Sequence, residues 1–133
     1  MSTSGSWLCF LPLAGAPVCR DDVRALAAAA PSLGAPARPL VVVSVDAQDH
    51  LRRFLDEQCA YGGFDGRLLV AKSDPQLELA RTFGVAHPGG FARRASFLLD
   101  GDGRVLRSQI HSLGFVRPVS ELLGWLAELP APA

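Results

Sequence analysis

Leu40-Val41-Val42-Val43-Ser44-Val45 is an almost unbroken run of aliphatic, mostly β-branched residues. A half-buried strand alternates apolar with polar residues. A continuous run of this length instead marks a strand covered on both faces, as in a parallel sheet between two layers. Asp46 ends the run, and a helical pattern follows over Gln48–Cys59, with Leu51, Phe54, Leu55 and Cys59 on one stripe. On the N-terminal side, Trp7–Leu11 reads as a first strand. Asp21–Ala30 reads as a helix, with Asp21 and Asp22 suited to its start and Val23, Leu26, Ala27 and Ala30 forming its apolar face. Pro31, Gly34, Pro36 and Pro39 punctuate the loop before Leu40.

Beyond the glycine-rich Tyr61–Gly66, Arg67–Ala71 is predicted to be a short strand. Ser73-Asp74-Pro75 caps a helix over Pro75–Phe83, with proline at its first position and Gly84 as the stop. Arg94–Asp100 and Val105–His111 form a hairpin around Asp100-Gly101-Asp102-Gly103, read as a tight turn because a calcium loop needs a later glutamate that is missing here. A last helix covers Pro118–Leu129, between a loose Met1–Ser6 and a tail at Pro130–Ala133. The order β-α-β-α-β-α-β-β-α predicts one α/β domain over residues 1–133, a three-layer sandwich of thioredoxin-like type. In such sheets chemistry gathers at the carboxyl ends of the strands.

The chain has 133 residues, 49% hydrophobic and 20% charged, and its thirteen basic side chains balance thirteen acidic ones. That balance argues against nucleic acid and anionic membrane as partners, and no segment reaches transmembrane length. Trp7–Ala16 resembles a signal peptide only superficially. It lacks a basic n-region and Pro12 interrupts it, so it is read as a strand. Cys9, Cys19 and Cys59 form neither a disulfide framework nor a metal motif. They fit a reducing, cytoplasmic setting, and no cofactor or metal is expected.

Cys19 closes Pro12-Leu-Ala-Gly-Ala16-Pro-Val-Cys19 at the junction of the first strand and the first helix. Helix-start N–H groups favour a thiolate there, although a free cysteine also serves as a small buried hydrophobe. The stretch resembles the peroxiredoxin signature Pro-x-x-x-Thr/Ser-x-x-Cys. Three further segments follow in register: Val41–Asp46 with His50, Ser73-Asp74-Pro75 through Phe83-Gly84-Val85, and Arg94-Ala-Ser96-Phe97-Leu-Leu-Asp100 with Gly103. Together they are most similar to the thiol peroxidase and bacterioferritin-comigratory branches.

The resemblance implies a peroxiredoxin-like thiol-dependent oxidoreductase. Cys19 would attack a hydroperoxide, Arg94 would hold the thiolate and polarise the O–O bond, and Pro12 would shield the pocket. It implies a hydroperoxide or other small-molecule substrate and a thiol reductant, either a thioredoxin-like protein or a low-molecular-weight thiol. Cys59 has two readings, a resolving cysteine or a buried core thiol. Cys9 is read as structural, and His50, His87 and His111 form no recognisable constellation.

Two features depart from the family pattern. Ala16 stands where the family has Thr or Ser and cannot accept a hydrogen bond from a peroxide. The shortened N-terminus lacks the family's additional strand pair, which would leave a sheet edge or pocket wall open to a partner such as a second copy. Two alternatives to a peroxidase therefore stay open: a peroxiredoxin-fold protein repurposed for another reaction, such as a step in specialised metabolism, and a non-catalytic thioredoxin-like binding subunit.

Overall fold

A computed structural model describes residues 5–35 and 37–129. Pro36, the tail at 130–133 and the first four residues of the expected loose N-terminus lie outside the described residues. Five strands form one mixed sheet: β1 (Ser6–Phe10), β2 (Leu40–Ser44), β3 (Leu69–Ser73), β4 (Ala95–Leu99) and β5 (Val105–Ile110). Their spatial order is β3-β2-β1-β4-β5. The pairs β1/β2 and β2/β3 are parallel, and β1/β4 and β4/β5 are antiparallel. The Leu40 run is thus an interior strand, one position from the central β1. Leu40 and Val42 enter one core, and Val43 enters the other.

Among the described residues, four helices cover the sheet: α1 (Pro17–Leu33), α2 (Gln48–Gly62), α3 (Glu78–Thr82) and α4 (Val119–Ala127). The larger core joins Trp7, Cys9 and Leu11 to α1, α2 and Leu122 of α4. On the opposite face Phe10, Phe97, Ala80 and Val85 build a smaller one, where Phe83 and Phe97 meet edge to face with centroids 4.9 Å apart. This is the expected α/β sandwich, with one thin outer layer made of α3 and a two-strand turn of Ala86–His87 against Phe91–Ala92. Pro88-Gly89-Gly90 marks that turn in the sequence, although the flanking two-residue strands were not among the expected elements.

Several boundaries move, for identifiable reasons. Helix α1 begins at Pro17 and runs past Pro31 to Leu33, so Cys19 lies inside its first turn and does not precede it. Leu33 is fully buried and its carbonyl accepts a hydrogen bond from Trp7 Nε1 at 2.9 Å, which rewards the extra turn. Helix α3 is shorter than expected and Pro75 is not its first residue. The Asp74 carboxylate reaches past a turn to accept the N–H groups of Leu79 (3.1 Å) and Ala80 (2.9 Å). Strand β3 starts two residues late because residues 66–68 form a short 3₁₀ turn. Helix α2 ends at Gly63, whose φ of 73° is the left-handed conformation a C-terminal cap requires. At the hairpin, Asp100 Oδ1 accepts the N–H groups of Asp102 and Arg104, both at 2.9 Å, closing the turn on itself.

Trp7 is fully buried and stacks on Trp125 (centroids 5.9 Å apart, planes 17° apart) while it caps the end of α1. Trp7→Phe keeps the stacking but leaves the Leu33 carbonyl buried without its donor. Denaturant unfolding should show a loss of about 1–3 kcal/mol, with the strand content unchanged by circular dichroism.

Candidate active site

The site lies where β1 feeds into α1. Residues 11–16 connect them, and Ala16 occupies the N-cap of α1 with no side-chain hydrogen bond to the helix. Pro17 follows at the first helical position, where its missing N–H costs nothing. The first intrahelical bond runs from Arg20 N–H to the Ala16 carbonyl (3.1 Å), so the Val18 and Cys19 N–H groups have no intrahelical acceptor. They and the positive end of the helix favour negative charge near Cys19.

Cys19 Sγ is buried, and Arg94 Nη2 lies 3.6 Å from it. Arg94 reaches the thiol from the start of β4 and is itself only 1% exposed, whereas its neighbour Arg93 is half-buried. Each of its nitrogens is held. Nε donates to the Ser112 carbonyl (3.2 Å), Nη2 also donates to the Leu113 carbonyl (3.2 Å), and Nη1 donates to Asp22 Oδ2 (2.7 Å). The guanidinium cannot swing away without breaking several bonds at once.

Asp22 and Arg117 complete the cluster. Asp22 sits one turn beyond Cys19 on the buried face of α1 and is fully enclosed. Arg117 precedes α4. It donates from its main chain and Nε to Asp22 Oδ1, both at 3.0 Å, and from Nη2 to Asp22 Oδ2 at 2.8 Å. Its remaining donors meet the Phe10 carbonyl (2.8 Å), the Ala95 carbonyl (3.0 Å) and Ser96 Oγ (3.0 Å). Burial opposes the Asp22 charge, but the Arg117 charge and hydrogen bonds, helped by Arg94, hold its carboxyl below the usual range. Burial likewise opposes the Arg117 charge, and Asp22 outweighs it, raising that pKa.

Ser96 Oγ also pairs with His111 Nε2 at 2.9 Å. Burial, followed by the Arg117 charge, lowers the His111 pKa to about 4, so the ring is neutral at pH 7. Its Nδ1 is buried with no partner among the described residues. His111 N–H donates to the Arg94 carbonyl (2.7 Å), placing the ring at the base of the strand that carries the arginine.

The expected residues separate into two groups. Cys19 and Arg94 meet in the first turn of α1, Ala16 is the N-cap of that helix, and Pro12 is half-buried on the connection that leads to it. Cys59 does not join the Arg94 cluster. It lies buried on α2 with Leu51 and Leu55, and burial raises its thiol pKa against the opposing charge of Arg52. Cys9 is buried on β1, and burial pushes it up to about 11 although Arg117 acts against the shift. Sequence reasoning read Asp22 only as suited to a helix start, quoted Ser96 only within a motif, placed His111 in no constellation and did not single out Arg117. Asp22 had left a signal, since a carboxylate shares the stripe of Cys19, Val23 and Leu26. Arg117 had left none. A groove of about 530 Å³ lies at the other end of α1, lined by residues such as Pro31, Arg38, Leu40 and Val70.

The His111 shift fixes the sign of one pH effect. A histidine whose pKa is lower in the folded chain binds fewer protons there than in the unfolded chain, so stability falls as pH drops from about 6.5 to about 4. Asp22 acts only below the ordinary carboxylate range, near pH 4. His111→Gln, which can still reach Ser96, should flatten the stability profile between those limits by up to about 1.4 kcal/mol per pH unit. Chemical denaturation across that range measures it; an unchanged slope would mean that His111 is not the titrating group.

The profile of the AhpC/TSA family matches residues 3–108. Among solved structures, the chain is similar to the reduced 2-Cys peroxiredoxin of Plasmodium vivax (25% identity, TM-score 0.73), covering 89% of this chain and 61% of that one. It is also similar to AhpC of Enterococcus faecalis (26% identity, TM-score 0.76, 92% and 74% covered). A third is thioredoxin peroxidase I of Plasmodium yoelii (26% identity, TM-score 0.74, 94% and 72% covered). The chain therefore spans about three fifths of the Plasmodium vivax protein. No curated protein matches the sequence. With its profile matched over most of its length and its sheet shared with these structures, the chain belongs to the AhpC/TSA family, the peroxiredoxins of the thioredoxin-like superfamily.

Proposed function

We propose that the protein is a thiol-dependent peroxidase with Cys19 as its nucleophile. The observation that carries the reading is the 3.6 Å approach of Arg94 to Cys19 Sγ, with Arg94 locked by Asp22 at 2.7 Å. A fixed guanidinium stabilises negative charge on sulfur and can also donate to a peroxide oxygen. The sulfur bonds to the distal peroxide oxygen and the O–O bond breaks. The departing alkoxide or hydroxide takes a proton, and Cys19 becomes a sulfenic acid. The unpaired Val18 and Cys19 N–H groups would share the charge that develops on oxygen. Pro12 would exclude water from the reacting sulfur.

A thiol must then return Cys19 to its reduced state. Attack of a thiolate on the sulfenic sulfur forms a disulfide and releases water, and an external thiol, small or protein-borne, reduces that disulfide. Cys59 is the candidate internal thiol, and its place on α2 requires local unwinding before it meets Cys19. Equimolar peroxide followed by peptide mapping tests this. A Cys19–Cys59 peptide is expected, and an oxidised Cys19 beside a free Cys59 would make this a one-cysteine enzyme.

Three free thiols support a reducing compartment, such as the cytoplasm, as its place of work. Among the described residues no helix is long and apolar enough to cross a membrane. The fully exposed edge strand β5, with Val105, Leu106 and Ile110 among its side chains, supports a homodimer.

Ala16 favours a second reading, in which the pocket is turned to another small molecule that needs no hydroxyl at this place. Loss of such a hydrogen bond to a reacting group costs on the order of 10²–10³ in rate. Stopped-flow consumption of hydrogen peroxide by wild type, Ala16→Thr and Ala16→Thr/Arg94→Ala separates the two. For a peroxidase lacking only that hydroxyl, Ala16→Thr should be about ten-fold faster or more, and the double variant should lose the gain. Free-thiol rates in all three proteins would shift the conclusion to the repurposed or binding readings.

A further inference from the structure

We propose that Asp46 is the positioning residue of this site: from the end of β2, its carboxylate holds the β1–α1 connection, and through it the first turn of α1 with Cys19, in register with Arg94. Only the kinetic arm of the test below rests on the peroxidase reading.

Three observations carry this. First, the connection has few anchors. Leu11 N–H donates to the Val43 carbonyl (2.8 Å), and the helix closes with Arg20 N–H on the Ala16 carbonyl (3.1 Å). Between them, among the described residues, one hydrogen bond ties the connection to the sheet: Ala14 N–H to Asp46 Oδ2, at 2.7 Å. Second, Ala16 offers no side chain to cap α1, so the helix start cannot fix its own entry. Third, Asp46 is itself built in. Its side chain is 7% exposed, and Ser44 Oγ donates to the oxygen that receives Ala14. Its carbonyl accepts from Ser73 Oγ (2.6 Å), and His50 Nδ1 from α2 lies 3.6 Å from its other oxygen. A carboxylate held from β2, β3 and α2 thus sets the loop that leads to Cys19.

The chemistry needs such a brace. Arg94 is locked by its own bonds, one of them to Asp22 one turn further along α1, so the Sγ–guanidinium distance depends on how firmly the turn ahead of Asp22, which carries Cys19, is held. A displacement of about 1 Å at a reacting atom is enough to cost up to roughly 10² in rate.

Three variants separate positioning from general stability. Asp46→Ala removes the acceptor. Asp46→Asn keeps an oxygen for Ala14 and turns its amide toward His50. Ala14→Pro deletes the donor and leaves Asp46 intact. Gly15 has a φ of 89°, as at the second central position of a type II turn, and the first central position, Ala14, accepts proline. The readouts are amide hydrogen exchange of a peptide covering residues 12–20 and the rate constant of Cys19 with hydrogen peroxide, both below the melting transition of every variant.

Asp46→Ala and Ala14→Pro should lose exchange protection over that peptide and react about ten-fold more slowly or worse, while Asp46→Asn stays within about three-fold of wild type. If Asp46→Ala does not fold, Ala14→Pro decides. Wild-type exchange and rate in Ala14→Pro would overturn the proposal. So would an Asp46→Asn variant as impaired as Asp46→Ala, because charge rather than the bond to the loop would then be at work. A wild type inert to peroxide would overturn the peroxidase reading alone, since the exchange measurement still decides on Asp46.

Discussion

A single buried carboxylate between two buried guanidinium groups organises this protein. Asp22 accepts hydrogen bonds from Arg94 and Arg117, and all three side chains are nearly sealed from water. Bringing one carboxylate and two arginines into the interior is costly, and their mutual attraction offsets that cost only when every donor finds an acceptor. Here all five Arg117 donors and four of the five Arg94 donors do. Arg117 meets the Phe10 and Ala95 carbonyls and Ser96, and Arg94 meets the Ser112 and Leu113 carbonyls. Taking Asp22 away would strand two cations, a loss on the order of 3–5 kcal/mol. An apolar core of the same volume would be at least as stable, so stability alone does not explain the cluster.

Its geometric effect is to join elements distant in sequence. Arg117 links α1, β1, β4 and the segment before α4. Arg94 links β4, α1 and the loop after β5. These bonds leave the second N–H of Arg94 Nη2 directed at Cys19 Sγ. The cluster therefore acts as a mount for one cation beside one sulfur. A mount of this kind makes the arginine's position independent of the motions of its long side chain.

Much of this layout was legible in the sequence where one residue type admits few roles. The Leu40 run marked a strand covered on both sides, and Asp100-Gly-Asp-Gly103 read as a tight turn once a calcium loop was set aside for want of a later glutamate. Cys19 at a strand-to-helix junction and Arg94 at a strand start followed from position and from family resemblance. What stayed hidden was set by tertiary partners. The run of α1 past Pro31 depends on Trp7 reaching the Leu33 carbonyl, 26 positions away. The short α3 depends on one carboxylate bypassing a turn. Arg117 meets Asp22 from 95 positions away, and no local pattern carries that pairing.

Burial does not choose among the three thiols, because Cys9, Cys19 and Cys59 are about equally enclosed. Their surroundings do. Cys9 is pushed up to about 11, with Asp22 adding to the effect of burial, and Cys59 is raised among aliphatic side chains. Arg117 also acts on Cys9 without overcoming its burial, whereas Cys19 combines the Arg94 donor with a place in the first turn of a helix. In the proposed peroxidase reaction a peroxide has to reach a residue that is 1% exposed, and the uncapped first turn of α1 lies beside it. There Ala16 acts in two opposed ways. It withholds the hydroxyl that would orient a peroxide, and it leaves the helix end without a side-chain cap, whose absence lowers the cost of opening that turn by about 1 kcal/mol. On the peroxidase reading, the same residue that weakens the grip on the substrate would ease its entry.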